Sequence, residues 1–423
     1  MKTIKQHQLP TADLLNNFED LKCKMTKEEI IAYNEGRIVT IKSVLESPQF
    51  IDSNMALPIA LGNTADGEVY MIDLARVPHL LVAGAPGQGN RVCLKTIITS
   101  LLYTKSPNEL KFVFIDTRHV EFSEYEKIAS HYLAALPELA DEPIVSGYKE
   151  TIETLKSLCT LMEQRYQLLS MTKARNIRNY NEMLAHHEID SSDEHEFMPY
   201  IVVVISDYAG LYMTVGRKVE LLVAKLAQLA SAIGIHLILS TETPSAVFLS
   251  GTIKANFPGR IALRVNSVDE SRAIIDCSGA ERLRGKGDLL CVTEFGSEPI
   301  EVQCAYIDPE EVERINDFIV SQPGSSKPFA LPEPSEEYQD KEEELTWDSL
   351  DPLFEAAARD VVISQNGSTS MIQRHYSIGY SRAGMLMDQL CKAGIVGPFI
   401  GSGTRKVLVK DLIELDEILK NIE

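Results

Sequence analysis

Residues 201–205 read Ile-Val-Val-Val-Ile, five consecutive β-branched apolar side chains. Neighbouring side chains of a strand point to opposite faces. A strand with no polar alternation must therefore be covered on both faces, as in a mostly parallel sheet flanked by helices. The candidate strands are Val69–Ile72, Leu80–Ala83, Lys111–Ile115, Tyr200–Ile205, His236–Ser240, Gly259–Val265, Asp288–Val292 and Ile300–Ala305. Helical patterns lie between them at Val92–Tyr103, Tyr148–Met171 and Val219–Ala232. This order predicts an α/β layer sandwich over residues 51–330.

The rest of the 423 residues divides by composition. Residues 1–50 are polar and mixed, and Thr26 with Glu29 before Ile30 has the spacing of a capping box opening a short helix. Chance produces that spacing about as readily. Residues 331–349 read as a linker, because 333–348 hold eight acids against one Lys and the prolines Pro332 and Pro334 introduce the stretch. Residues 350–423 form a second, smaller unit. The formal charge of −20 excludes a uniformly basic nucleic-acid coat, but charge is distributed unevenly. From Arg359 to Lys410 seven Lys and Arg face only Asp360 and Asp388, an island of the kind that contacts nucleic acid. Seven scattered cysteines without a C-x-x-C pair argue against zinc and against a disulfide framework. The first residues lack the apolar core of a signal peptide, and no apolar run is long enough to span a bilayer. A cytoplasmic chain without a membrane segment is expected.

The strand at Leu80–Ala83 leads into Gly84-Ala85-Pro86-Gly87-Gln88-Gly89-Asn90-Arg91 and then a helix. The glycines and the strand–loop–helix context match a phosphate-binding loop, G-x-x-x-x-G-K-[ST]. The two chemical positions do not match. Asn90 stands where the loop's lysine would meet the β- and γ-phosphates, and Arg91 where a hydroxyl would hold Mg²⁺. Arg91 is charged, but it lies about 100° around the helix from the lysine position. The backbone amides at the helix start can still hold phosphate weakly, and the glycines alternatively serve only a tight turn. After Ile205 come Ser206 and Asp207. A lone Asp at a strand end more often caps a turn than acts as a base.

The stretches PHLLVAGAPGQG, NELKFVFID, MEQRYQLL, RNIRNYNE, MPYIVVVISDYAGLYMTVGRKVE, LAQLASAIGIHLILSTETPS, GTIKANFPGRIALRV and SRAIIDCSGAERLRGKGDLL follow one another over residues 78–290. Together with STSMIQRHYSIGYSRAGMLMDQLCKAGIVGP at 368–398, they resemble the FtsK/SpoIIIE family of double-stranded DNA translocases over most of the chain. The resemblance implies a RecA-like P-loop core with a mostly parallel sheet and a C-terminal winged-helix γ module. It also implies ATP and Mg²⁺ as cofactors and a ring-shaped oligomer. The departures gather at the chemistry. The family's lysine is Asn90, its Ser/Thr is Arg91, its Walker B pair is Ser206 and Asp207, and its sensor Gln is Glu242. The family's D-P-K run is Asp116-Thr117-Arg118, while the scaffold glycines and apolar runs remain. Only residues 16–40 separate segments that bracket a long α domain in the family, so residues 1–50 resemble a remnant of it. The expected function is DNA binding without turnover, through the tail, with assembly beside an active FtsK-like relative. The alternatives are an active translocase in which Arg91 and Asp207 take over phosphate and water roles, and a protein scaffold that binds no DNA.

In the tail, the family's G-Y-N-R-A appears as Gly379-Tyr380-Ser381-Arg382-Ala383, which places a recognition helix near Ser381–Ala393. Arg374, Arg382, Arg405 and Lys406 are the candidate DNA contacts, the last two on a wing after Gly401-Ser402-Gly403. Lys95, one turn into the loop helix, is expected to face solvent. His186, His187 and His195 with Asp190, Asp193 and Glu194 read as a polar loop rather than a metal cluster.

Overall fold

The computed structural model describes residues 7–16, 38–189, 195–335, 350–397 and 404–420. The expected helix after Thr26 and the acidic run from residue 336 to 349 lie outside them. The chain divides into two compact units, one within residues 1–338 and one within 339–423.

The strands of the first unit are β1 Val39–Thr40, β2 Pro58–Thr64, β3 Val69–Asp73, β4 His79–Ala83, β5 Leu110–Ile115, β6 Ala134–Ala135, β7 Tyr200–Ile205, β8 Ile235–Thr241, β9 Gly259–Leu263, β10 Asp288–Val292, β11 Ile300–Tyr306 and β12 Phe329–Ala330. The main sheet runs β3-β2-β11-β10-β9-β4-β8-β7-β5, with β1 alongside β11. From β9 to β5 every pairing is parallel. From β3 to β9 every pairing is antiparallel. The sheet is thus a parallel half fused to an antiparallel half.

The apolar run of β7 behaves as its composition requires. Val202 and Val204 enter one core, whereas Ile201, Val203 and Ile205 enter the core on the opposite face. Helices α1 (Asn90–Leu102), α2 (Tyr148–Thr172), α3 (Ile177–Ala185), α4 (Tyr208–Val215) and α5 (Arg217–Leu229) contribute to these layers. Strand β9 ends at Leu263 rather than Val265, and just beyond it the Arg264 carbonyl accepts the Ala85 amide at 2.9 Å. Strand β2 was not expected. It opens on a proline, contains Gly62 and Asn63, and carries a register shift between Ala60 and Gly62. Gly62 has φ +153°, and a Cβ there would lie 1.9 Å from the Gln303 carbonyl oxygen.

The second unit is a winged helix with its own core. It comprises α6 Phe354–Ser364, α7 Thr369–Tyr376, α8 Tyr380–Lys392 and α9 Leu412–Lys420. Bridges Gly367–Arg405 and Val396–Val407 form the base of the wing. Gly401-Ser402-Gly403, expected to precede the wing contacts, lie outside the described residues. Among the described residues, no helix is long and apolar enough to cross a membrane.

Candidate functional site

The loop from Gly84 to Gly89 leaves the end of β4 and enters α1. Its shape is held from both sides. The Gly84 amide donates to the Thr241 carbonyl at 3.3 Å, and Gln88 returns a carbonyl to the Gly287 amide at 3.1 Å. Gly89 takes φ +117° at the helix N-cap, and a Cβ there would press on Gly287 at 3.1 Å. Gly87 also has positive φ, +75°. Residues with side chains adopt these angles only with strain. The first-turn amides of α1 have no intrahelical acceptor, an arrangement that favours an anion at a helix N-terminus.

The side chains around the loop point elsewhere. Asn90 is buried, and its amide donates to the Gly84 and Thr241 carbonyls, both at 3.3 Å. It closes the loop on itself. Its Oδ1 has no hydrogen-bond partner among the described residues. Arg91 turns outward, with Nε on Glu121 Oε2 at 2.8 Å and Nη2 on the Val120 carbonyl at 2.5 Å. That hydrogen bond to the Glu121 carboxylate holds the guanidinium even more firmly charged than usual. Lys95 does not face solvent. It is buried and pairs with Glu124 at 2.7 Å. A buried ammonium needs a carboxylate partner to offset the loss of water.

At the end of β7, the Ser206 hydroxyl donates to Asp116 Oδ1 at 3.1 Å. Asp116 is fully buried, and its other oxygen accepts the amides of Glu121 at 2.7 Å and Phe122 at 3.2 Å. Asp207 caps α4 by accepting the Gly210 amide at 3.2 Å, as expected for a lone Asp at a strand end. Its second oxygen lies 3.4 Å from Arg118 Nε, and Nη2 of the same guanidinium lies 3.7 Å from Glu242. Arg118 therefore bridges the carboxylates that follow β7 and β8. Sequence reading noted Arg118 as a departure but gave it no role. Its partners come from the ends of β7 and β8, so only the fold brings the three together. A cavity of about 400 Å³ adjoins Ala85, and its charged lining is Glu242, Asp269 and Glu270. Carboxylates lining a cleft raise the cost of bringing a polyphosphate into it.

The candidate DNA contacts of the tail separate into two pairs. Arg382 clasps Asp351 with two bonds, at 2.7 and 2.9 Å. Arg405 is turned inward, its side chain only 12% exposed, and pairs with Asp388 on α8. It also donates to the Met387 carbonyl at 3.3 Å. Arg374 and Lys406 are exposed and have no carboxylate partner among the described residues. Three of the seven cations of the basic island are thus paired at home, since Arg359 also pairs with Glu355 and Asp416. Sequence spacing could not reveal this, because Asp351 and Asp416 lie outside the span in which the charges were counted. His186 and His187 are exposed, and His195 meets the Tyr180 hydroxyl at 3.3 Å. No group of His, Cys, Asp and Glu suited to a metal occurs among the described residues.

The sequence matches the FtsK/SpoIIIE family over residues 40–246 and the Ftsk gamma domain over residues 348–410. It is 42% identical to the DNA translocase FtsK of Chlorobaculum tepidum over 93% of this chain and 48% of that protein. It is 39% identical to the DNA translocase SpoIIIE of Bacillus subtilis over 89% of this chain and 46% of that protein. The chain spans about half the length of these curated relatives. Among solved structures, the pCW3 conjugation coupling protein TcpA, in its monomer form with ATPγS, is similar with a TM-score of 0.55 and 25% identity. That match covers 67% of this chain and 74% of TcpA.

Proposed function

The chain belongs to the FtsK/SpoIIIE family of DNA translocases, with a γ domain at its C-terminal end, and from that premise we propose that it is a DNA-binding pseudo-motor. It holds double-stranded DNA through its winged helix, turns over no ATP, and assembles with an active relative of the same fold. In this reading residues 51–330 are the motor-type body, 331–349 the linker, 350–423 the DNA-binding module, and 1–50 a shortened N-terminal segment. It acts in the cytoplasm.

The observation that carries this reading is the Arg118 bridge between Asp207 and Glu242. Chemistry on a phosphoryl group needs cations directed at the phosphates and carboxylates directed at metal and water. Here the nearby cations Arg91, Lys95 and Arg118 are each held by carboxylates of this chain. Mg²⁺ does not fit the residues present. Arg91 replaces the hydroxyl ligand, Ser206 is engaged with Asp116, and Asp207 is capped and paired. For ATP the loop backbone fits a phosphate, while the acidic cavity beside it does not. The intact loop backbone favours a second reading, an active translocase that uses Arg91 and Asp207. That reading requires both side chains to abandon Glu121 and Arg118.

Duplex binding by the full chain tests the proposal. Labelled duplex is expected to bind equally well with and without ATP at constant Mg²⁺ and ionic strength. The double substitution Arg374→Ala and Lys406→Ala should weaken binding about tenfold at moderate salt through two lost phosphate contacts. Arg405→Ala should instead lower the melting temperature of the tail, because its role is to tie the wing to α8. Absence of duplex binding, or an affinity that changes severalfold with ATP at constant Mg²⁺ and ionic strength, would end this reading.

A further inference from the structure

Asn366-Gly367 is the one Asn-Gly pair in the 423 residues, and it sits at the base of the wing. The turn that carries it, between α6 and α7, is held on both sides. Gln365 Nε2 donates to the Val409 carbonyl at 3.0 Å, and Ser368 caps α7 by accepting the Met371 amide. Between them the Asn366 side chain is exposed, and its carboxamide makes no hydrogen bond among the described residues. Gly367 pairs with Arg405 in an antiparallel bridge, its carbonyl accepting the Arg405 amide at 2.8 Å. A Cβ at Gly367 would run into the Arg405 carbonyl oxygen, so the bridge itself requires the glycine. In an antiparallel pairing the residue before one partner faces the residue after the other. Asn366 therefore stands across from Lys406, one of the two candidate DNA contacts without a carboxylate partner.

We propose that Asn366 is a self-modifying site: it converts to aspartate or isoaspartate, and the carboxylate formed draws Lys406 away from DNA phosphate. The conversion stands on its own chemistry, whereas its consequence rests on the DNA-binding reading above. The Gly367 main-chain nitrogen attacks Cγ of Asn366. A C–N bond forms, and Nδ2 leaves as ammonia with the amide proton. The five-membered imide then takes up water. Cleavage of its bond to Cγ gives aspartate, and cleavage of its bond to the main-chain carbonyl carbon gives isoaspartate. Asparagine and water thus become acid and ammonia, with no oxidant. Glycine offers no side chain to block the approach, and solvent reaches the exposed carboxamide. Either product places a negative charge across from Lys406. Unlike charges directly opposed on neighbouring strands attract, so phosphate then competes with a carboxylate already in place. Isoaspartate also lengthens the main chain by one methylene beside the Gly367–Arg405 bridge.

Peptide mass mapping of the full chain, fresh and after incubation in mildly alkaline buffer, tests the conversion. Asn366 is expected to change ahead of every other asparagine, including Asn266, which precedes Ser267. Salt titrations of fluorescent random-sequence duplex test the consequence. Asn366→Asp should weaken binding about threefold near 0.1 M salt and reduce the slope of log K against log salt by about 0.9, the loss of one phosphate contact. Ageing should bring the unaltered chain toward the same affinity. Asn366→Gln, whose longer side chain closes the ring far more slowly, should keep its fresh affinity. In a Lys406→Ala background Asn366→Asp should change little, because the cation it captures is gone. If Asn366 changes no faster than Asn266, the site is refuted. If it changes while affinity holds, or if Asn366→Asp binds like the unaltered chain, the consequence is refuted and the tail reading stands. If the fresh chain binds no duplex, the tail reading and the consequence both fall, and the mass mapping alone decides the conversion.

Discussion

Lowering the pH from 7 to 5 is expected to reduce the stability of the motor-type body by about 4 kcal/mol, given two buried histidines that resist protonation. His79 and His236 lie at the starts of β4 and β8, each about 1% exposed, with ring centroids 6.3 Å apart. Burial is the main cause that pushes the first down to about 3 and the second down to about 4, and for His79 the facing His236 adds to it. The hydrogen bonds agree. His79 Nδ1 accepts the Leu237 amide at 3.1 Å, so a proton there displaces that bond. His236 Nδ1 lies 3.0 Å from the Pro78 carbonyl, and its Nε2 is buried without a partner among the described residues. The unfolded chain protonates both rings near pH 6.5. Their contribution is therefore complete above that pH and is lost as pH falls toward 4 and 3. Asp276 and Asp351, whose folded values lie below the usual carboxylate range, lose theirs only at lower pH. Urea midpoints measured at pH 7 and pH 5 check this. Equal midpoints would show that these rings are hydrated or already paired.

Restoring five of the divergent side chains should raise ATP turnover at least about a hundredfold, since a single charged clamp is commonly worth that much. The variant is Asn90→Lys, Arg91→Thr, Ser206→Asp, Asp207→Glu and Glu242→Gln. It removes the carboxylate that holds Arg118 from β8 and opens the loop that Asn90 now closes. The loop glycines need no change, because Gly87 and Gly89 already hold positive φ. Ser206→Asp sets a second carboxylate near Asp116, whose Oδ1 lies 3.1 Å from the present hydroxyl. Two apposed carboxylates repel unless a cation lies between them. The variant should therefore melt higher with Mg²⁺ present, whereas the unaltered chain should not respond. A folded variant that stays at background turnover would place the lost activity outside these five positions.

The parallel half of the sheet was legible because its strands are buried on both faces and read as apolar runs. The same rule passed over β2, where Pro58, Gly62 and Asn63 interrupt the run although the strand is largely buried. The loop was legible from Gly84 and Gly89, whose spacing follows from backbone geometry. What replaced its chemistry was not. Arg118, Asp207 and Glu242 are far apart in sequence and meet only because β5, β7 and β8 are neighbours in the sheet. Lys95 illustrates the same limit, since a helical position alone does not tell that Glu124 waits beneath it. In the tail, the count of cations was correct but their availability was not readable. Over 350–423 there are nine acids against eight Lys and Arg, and several of them meet in space. Arg374 and Lys406 stand out only after Arg382 and Arg405 are seen to be engaged.

Steady-state ATP hydrolysis by the purified full chain, with Mg²⁺ and with or without long duplex DNA, tests the central claim most directly. The account predicts a rate at background in both conditions, unchanged by Asp207→Ala. A rate that rises with duplex and disappears with Asp207→Ala would contradict it, and would make the Arg118 bridge a resting arrangement of a working motor.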